Sequence, residues 1–386
     1  MSGIYVSQEL RRLRETAGQV ANSVAAPQAA AVDEQRIWPE KSLRALGEAG
    51  LLALHVPEDL GGHGQGMLAL ALLTETLGQA CSSTALCYGM HCVGTAAIAA
   101  KPTDYHRERY LAPIAAGKHL TTLSLSEPGS GAHFYLPSTE MHIDDEAFRV
   151  RGTKHFVTNG GHADSYVVST VASDAALGEF SCLLVDADTQ GLRWEGEWNG
   201  LGMRGNTAIT MQMDDAQVPR RNLLGEEGDQ VWYVFEIIAP YFLVAMAGTY
   251  LGIAQAALDY AIQHLRTRIV SLNGEPLATA DVLQHRVGQL WSRVEAARQL
   301  LYSAAHAGDT GSPTALHSIF SCKAEVSDVA VQVVNEAMTL CGGLAYREND
   351  LLARLLRDVR ASHVMAPTTD MLRIWTGRAL LGQSLI

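Results

Sequence analysis

The sequence predicts an α+β chain of several domains, with helices first, a mostly β segment next and a helical bundle last. Three observations carry that expectation. The 386 residues are 47% hydrophobic and 18% charged, which is ample for two or three cored domains at roughly 150 residues each and unlike a disordered chain. Apolar spacing keeps a helical period to about His119, breaks into short strand-like runs as far as Glu227, and turns helical again after Gly228. Turn-forming residues punctuate the middle segment most densely. The expected domains are therefore 1–119, 120–227 and 228–386.

In the first segment Leu43, Leu46, Ala49 and Leu51 share a helical stripe that breaks at Pro57. Gly61, Gly62, Gly64 and Gly66 follow, but no strand precedes them and no G-K-S/T comes after, so they predict a helix-joining loop and not a phosphate cradle. In the middle segment Phe148 to Val150, His155 to Thr158, Tyr166 to Thr170, Phe180 to Val185 and Ala208 to Met213 predict strands. Asn159-Gly160 predicts a tight turn, and Ile209, Met211 and Met213 alternate with Thr210 and Gln212 as a half-buried strand requires. The last segment opens on Ile237 to Leu258, an uncharged run long enough to cross a bilayer. Its Pro240, Tyr241, Gly248, Gly252 and Gln255, and its direct continuation into polar Asp259 to Arg268, predict instead a helix buried on all sides of a bundle. Leu283, Val287, Leu290, Val294, Ala297, Leu301 and Ala304 then trace a bundle seam. A second helix carries Val326, Val329, Val333, Ala337 and Leu340 on one face and stops at Gly342.

Charge and motif content narrow the function. Twenty-nine basic against 41 acidic residues give a net charge near −12, a field that repels nucleic acid and anionic membranes. The N-terminus becomes polar and helical at once, without the apolar core of a signal peptide, so a cytoplasmic location is expected. Cys81, Cys87, Cys92, Cys182, Cys322 and Cys341 never form C-x-x-C, and neither disulfides nor a metal site is implied. The strings G-x-S-x-G, H-E-x-x-H and G-x-x-x-x-G-K-S/T are absent, and the 14 histidines are scattered.

The informative features are loops of unusual composition. Ser124-Leu125-Ser126-Glu127-Pro128-Gly129-Ser130-Gly131 resembles the T/S-E-P-G-x-G loop of the acyl-CoA dehydrogenase family, and Phe156-Val157-Thr158-Asn159-Gly160-Gly161 resembles its W-I-T-N-G-G. Leu201-Gly202-Met203-Arg204-Gly205, Val218-Pro219 and Asn222-Leu223-Leu224-Gly225 are similar to its L-G-M-R-G, V-P and N-x-L-G series. Val56 to Gly62, Cys341 to Tyr346 and Arg357-Asp358 add to the match, which runs in order along nearly the whole chain.

The resemblance implies an N-terminal helical domain, a middle β-barrel-like domain and a C-terminal four-helix bundle, assembled as a homotetramer or homodimer with noncovalent FAD. The substrate it implies is an acyl thioester of coenzyme A or of an acyl carrier protein, and electrons would pass to an electron-transfer flavoprotein or to oxygen. By motif position Ser126, Gly131, Thr158 and Thr368 would contact the flavin or its phosphates, and Gly342 and Gly343 would let a neighbouring backbone close on the adenine end; the family's R-x-x-F-G string is replaced here and its phenylalanine is missing, but an arginine there, Arg268 or Arg266, would still face a neighbour's pyrophosphate. The family's reaction takes the α-proton with a glutamate while hydride leaves the β-carbon for flavin N5, because so weak an acid needs a desolvated base.

That glutamate belongs to a Y-E-G-T string which here reads Met365-Ala366-Pro367-Thr368, so Ala366 occupies its place. A smaller branch of the family carries its base on the helix opening the C-terminal domain, and the aligned residue is Phe242. Candidate replacements are Asp370, about one turn beyond Ala366, and Glu236, before Phe242, each of which also reads as a cap or a solvated charge. Ala132-His133 stands where the family has S-D; His133 reads either as facing the flavin pocket or as a loop histidine. Arg204 reads either as a buried partner to an acidic group or as a residue shaping the site. Without its base, the same fold also suits a flavin-dependent monooxygenase or a binding subunit that keeps an Ala366 N–H for a thioester oxygen.

Overall fold

The computed structural model describes residues 6–131, 133–144, 147–172 and 180–385; Ala132 of the motif loop lies outside them. The N-terminal part is helical: α1 (Gln8–Val20), α2 (Ala26–Glu34), α3 (Glu40–Glu48), α4 (Met67–Ala80), α5 (Ser82–Ala100), and the short α6 (Asp104–His106) and α7 (Ala112–Ala115). The stretch Gly61–Gly66 is a loop leading into α4, in keeping with its sequence.

The middle part is one sheet of eight strands: β1 (Thr121–Ser124), β2 (Glu140–Ile143), β3 (Ala147–Val157), β4 (Ser165–Ala172), β5 (Phe180–Asp186), β6 (Leu192–Glu195), β7 (Ile209–Pro219) and β8 (Leu223–Leu224). The order is β6-β7-β3-β2-β4-β5-β8, with β1 running parallel to β4. Two of the expected runs, Phe148 to Val150 and His155 to Thr158, fall largely within the single long strand β3, bent by register shifts against β7. Asn159-Gly160 does make a turn, but the turn closes no hairpin, because β2 lies between β3 and β4. The buried Asn159 side chain instead accepts from Trp38 Nε1 at 2.9 Å and donates to the Cys87 carbonyl at 3.0 Å, tying the sheet to the N-terminal helices.

The C-terminal part contains α8 (Gln230–Trp232), α9 (Ala239–Thr267), α10 (Asp281–Asp309), α11 (Ala315–Cys341), α12 (Leu351–Val359), α13 (Ala361–Val364) and α14 (Thr369–Leu380). The uncharged run forms most of α9 and is buried on every side from Leu243 to Ala254, packed against α4, α5 and α11. Small residues permit the contact with α4: a Cβ on Gly248 would stand 2.2 Å from Thr74 Oγ1, and one on Gly252 would stand 2.3 Å from the Glu75 carbonyl oxygen. The α10 seam is buried from Leu290 to Ala304, whereas Leu283 and Val287 are half-buried at the solvent end. Gly342 ends α11 with φ at 66°.

Candidate functional site

The three parts meet around a cavity of about 770 Å³, a size in the usual range for a small-molecule site. Its walls come from α5 (Leu86, Met90), the segment after β1 (Leu125 to Gly131), the end of β3 (His155, Phe156, Thr158), the start of α9 (Ala239, Phe242) and the segment Val364 to Thr368.

A buried ion pair holds the Ser126–Gly131 loop. In β3 the side chain of Lys154 turns under the loop, and its Nζ donates to Glu127 Oε1 at 2.5 Å, to the Ser169 carbonyl at 2.6 Å and to Ser169 Oγ at 3.0 Å. Glu127 also accepts from Ser138 N at 2.6 Å, Thr139 N at 3.1 Å, Thr139 Oγ1 at 2.7 Å and Ser138 Oγ. Burial pushes the Glu127 carboxyl up, but the Lys154 charge and the surrounding donors outweigh it and hold the group below its usual range. Burial likewise lowers Lys154, against the pull of Glu127. A pair so enclosed and so fully bonded fixes the loop; it is not free to exchange protons with a substrate.

On that clamp the loop continues beside the end of β3, where the Ser126 carbonyl accepts from His155 N at 2.8 Å. Gly129 and Gly131 have φ of 84° and 52°, and a Cβ built on either meets nothing within 4 Å, so the loop backbone lies open. The hydroxyls of Ser126 and Thr158 make no hydrogen bond to other described residues, although both residues line the cavity. Thr368 lines it as well, and its hydroxyl caps α14 by accepting from Met371 N at 3.5 Å. A concave apolar wall facing an open glycine backbone and unpaired hydroxyls suits a flat, partly polar ring such as a flavin.

Ala366 and Phe242, the two positions that the motif resemblance aligns with the family's base, both line the cavity, and neither is a carboxylate. Asp370, in the first turn of α14, and Glu236, in the turn preceding α9, are exposed and off the lining. Among the described lining residues Glu127 is the one carboxylate. Arg268 at the end of α9, and Gly342 and Gly343 after α11, are exposed and likewise off it, so a single chain does not bring them to the cavity. His133 is an exposed loop residue whose Nδ1 lies 2.9 Å from the Tyr135 hydroxyl. Arg204 leans on buried Asp33 at 3.9 Å, beside Arg357, which grips both oxygens of the same carboxylate. Asp358 accepts from Met203 N at 2.6 Å, so the Arg357-Asp358 pair locks the Leu201–Gly205 loop between the parts.

The Glu127–Lys154 clamp and the Leu86 and Met90 wall were not anticipated from sequence. Lys154 sits between Thr153 and His155 in a strand, a pattern that reads as a solvent face, and only the carboxylate in the adjoining motif hinted otherwise.

Comparison with known proteins agrees across the chain. The models of the acyl-CoA dehydrogenase N-terminal, middle and C-terminal domains match residues 7–118, 122–216 and 243–381. A cyclohex-1-ene-1-carbonyl-CoA dehydrogenase of Geobacter metallireducens is 31% identical over 382 residues, covering 98% of this chain and 99% of that one. A probable acyl-CoA dehydrogenase of Bacillus subtilis, YngJ, is 27% identical over 97% of this chain and 99% of its own. The structure of butyryl-CoA dehydrogenase from Megasphaera elsdenii superposes with a TM-score of 0.92 at 26% identity, over 98% of this chain and 99% of that one.

Proposed function

The chain belongs to the acyl-CoA dehydrogenase family, an enzymatic one, and from that premise we propose that it is an FAD-dependent oxidoreductase that takes an acyl thioester into the cavity between its three parts. The thioester is carried on coenzyme A or an acyl carrier protein. Ser126, Gly131, Thr158 and Thr368 would hold the flavin, while exposed Arg268, Gly342 and Gly343 would serve the cofactor of a neighbouring copy in a homotetramer or homodimer. When bound, FAD supplies the acceptor for a hydride from the β-carbon, and an electron-transfer flavoprotein or oxygen then takes the electrons.

The protein's own part is to bind and orient. Leu86, Met90 and Phe242 offer an apolar wall that takes an acyl chain and excludes water, and the clamped Ser126–Gly131 loop keeps the opposite wall rigid. Proton removal is where the site departs from its family. One observation supports this most directly: Glu127 is the sole carboxylate among the described lining residues, and its oxygens are occupied by Lys154, Ser138 and Thr139. We therefore read the cavity as lacking a free carboxylate base, so that a saturated thioester binds and is oxidised slowly.

An anaerobic titration of the flavin-loaded protein with saturated acyl-CoA esters tests the binding half. A shift of the visible flavin band is expected, and a spectrum indifferent to every ester counts against the reading. Asp370→Asn tests the alternative base: unchanged flavin reduction is expected, and abolished reduction with intact FAD content would make Asp370 the base. The same lack of a carboxylate favours a second reading, a flavin-dependent monooxygenase, which needs no such base; oxygen consumption driven by NAD(P)H and an added flavin reductase would reveal it.

A further inference from the structure

Lys323 interrupts an apolar face of α11, among buried Ile319, Phe320, Cys322 and Val326. Its side chain is buried completely, and no carboxylate among the described residues pairs with it. Burying an ammonium without a counter-ion is expensive, so its remaining bonds identify its use. Nζ donates to the Ser362 carbonyl at 2.8 Å and to the Pro367 carbonyl at 3.2 Å, and Ser327 Oγ, one turn along, lies 3.3 Å from the same Ser362 oxygen. The two carbonyls bracket the segment that carries Val364, Met365 and Ala366 along the cavity.

Holding these carbonyls has a geometric consequence. In the trans peptide between Pro367 and Thr368 the N–H points opposite to the C=O, so a Pro367 oxygen drawn toward α11 turns the Thr368 N–H away from it. The N–H groups of Ala366 and Thr368 have no partner among the described residues, and both residues line the cavity. We infer that Lys323 is a positioning residue whose ammonium, by holding the Ser362 and Pro367 carbonyls, fixes the Val364–Thr368 wall of the cavity against which a bound thioester lies. This rests on the reading above that the cavity takes a thioester, and it assigns the shape of that wall to a charge on another helix.

Burial lowers Lys323 to about 8. The groups around it leave that titration distinct. The neighbouring Cys322 thiol is pushed by burial to about 12, and Tyr250 of α9, also raised by burial, donates its hydroxyl to Met365 Sδ. On the outer side of the junction Asp328 pairs with both His363 and Arg373, which also meet Arg360 and Glu325 respectively. The charge-assisted bonds are therefore present below about pH 8 and lost above it, and thioester affinity should weaken as pH rises through that value.

The test compares Lys323→Met with wild type, both FAD-loaded. Amide hydrogen exchange in the 361–368 peptide should quicken about ten-fold or more, with other C-terminal helices unchanged, and affinity for saturated acyl-CoA esters should fall about ten-fold at unchanged FAD content. Exchange unaltered in that peptide, or quickened evenly along the bundle, overturns the assignment. The exchange result needs no ligand, so a cavity indifferent to thioesters defeats the functional reading separately. Should Lys323→Met fail to fold, the wild-type affinity profile decides: a fall above about pH 8 is expected, and a flat profile from about pH 7 to about pH 9 overturns the inference.

Discussion

At the residue scale the clamp under the Ser126–Gly131 loop is the feature most open to mutation. Lys154→Met leaves the Glu127 carboxylate buried without its cation, which costs about 3–5 kcal/mol, so thermal unfolding should move down sharply and purified protein should lose FAD. The pH dependence follows from the direction of the Glu127 shift. A carboxyl held below its ordinary 4.5 contributes its full stability above that value and loses it as pH falls through the lowered one. Wild type should therefore retain FAD through pH 4.5, while Lys154→Met, with burial opposed only by the Ser138 and Thr139 donors, sheds it at higher pH; identical acid profiles for the two would contradict the clamp. The motif strings made Ser126, Gly131, Thr158, Ala366 and Thr368 legible as one group, and all five line the cavity. The residues that hold them in place were not, because a lysine in a strand or in a helix states nothing about which side it faces until the sheet or bundle is assembled.

At the scale of elements, α9 was readable as a buried helix from its lack of charge, but the reason for its glycines lies in α4. Gly252→Ala forces a methyl to 2.3 Å from the Glu75 carbonyl oxygen, a backbone atom that cannot swing aside. Such overpacking should cost about 1–3 kcal/mol or more, seen as a lowered Tm without change in the flavin spectrum. The same helices are joined by a buried network in which Arg298 of α10 donates to Glu75 Oε1 at 2.9 Å and to Gln255 Oε1 at 2.6 Å, while Tyr302 donates to Glu75. Removing the guanidinium alone, in Arg298→Met, should destabilise by about 3–5 kcal/mol, and pairing it with Glu75→Leu should restore much of the loss. Sequence periodicity found the α10 seam because buried apolar spacing is local. It missed the short strands β1, β2, β6 and β8, which are defined by partners distant in sequence.

At the scale of the whole molecule, the stretch Gln230–Thr267 is long and apolar enough to span a membrane, yet 83% of its most apolar window is buried inside the fold. The large apolar side chains that do face outward include Leu272 (95% exposed), Val282 (66%) and Trp291 (55%), on α10 and the segment leading into it. That face is where a second copy would be expected to pack. Trp291→Arg should reduce the assembled mass in light scattering, and an unchanged mass would remove this face from the interface. The order of helical, β and helical segments was legible because each has its own apolar period. The cavity was not, since its walls come from stretches far apart in sequence that only the complete fold brings together. The central claim is that this cavity binds a flavin and a thioester but lacks a carboxylate to take the α-proton. The direct test is the anaerobic rate of flavin bleaching by a saturated acyl-CoA ester in wild type and in Ala366→Glu. A positioned base is worth about 10²–10⁴-fold, so the variant should bleach faster by that order, whereas wild-type bleaching that matches or exceeds it would contradict the account.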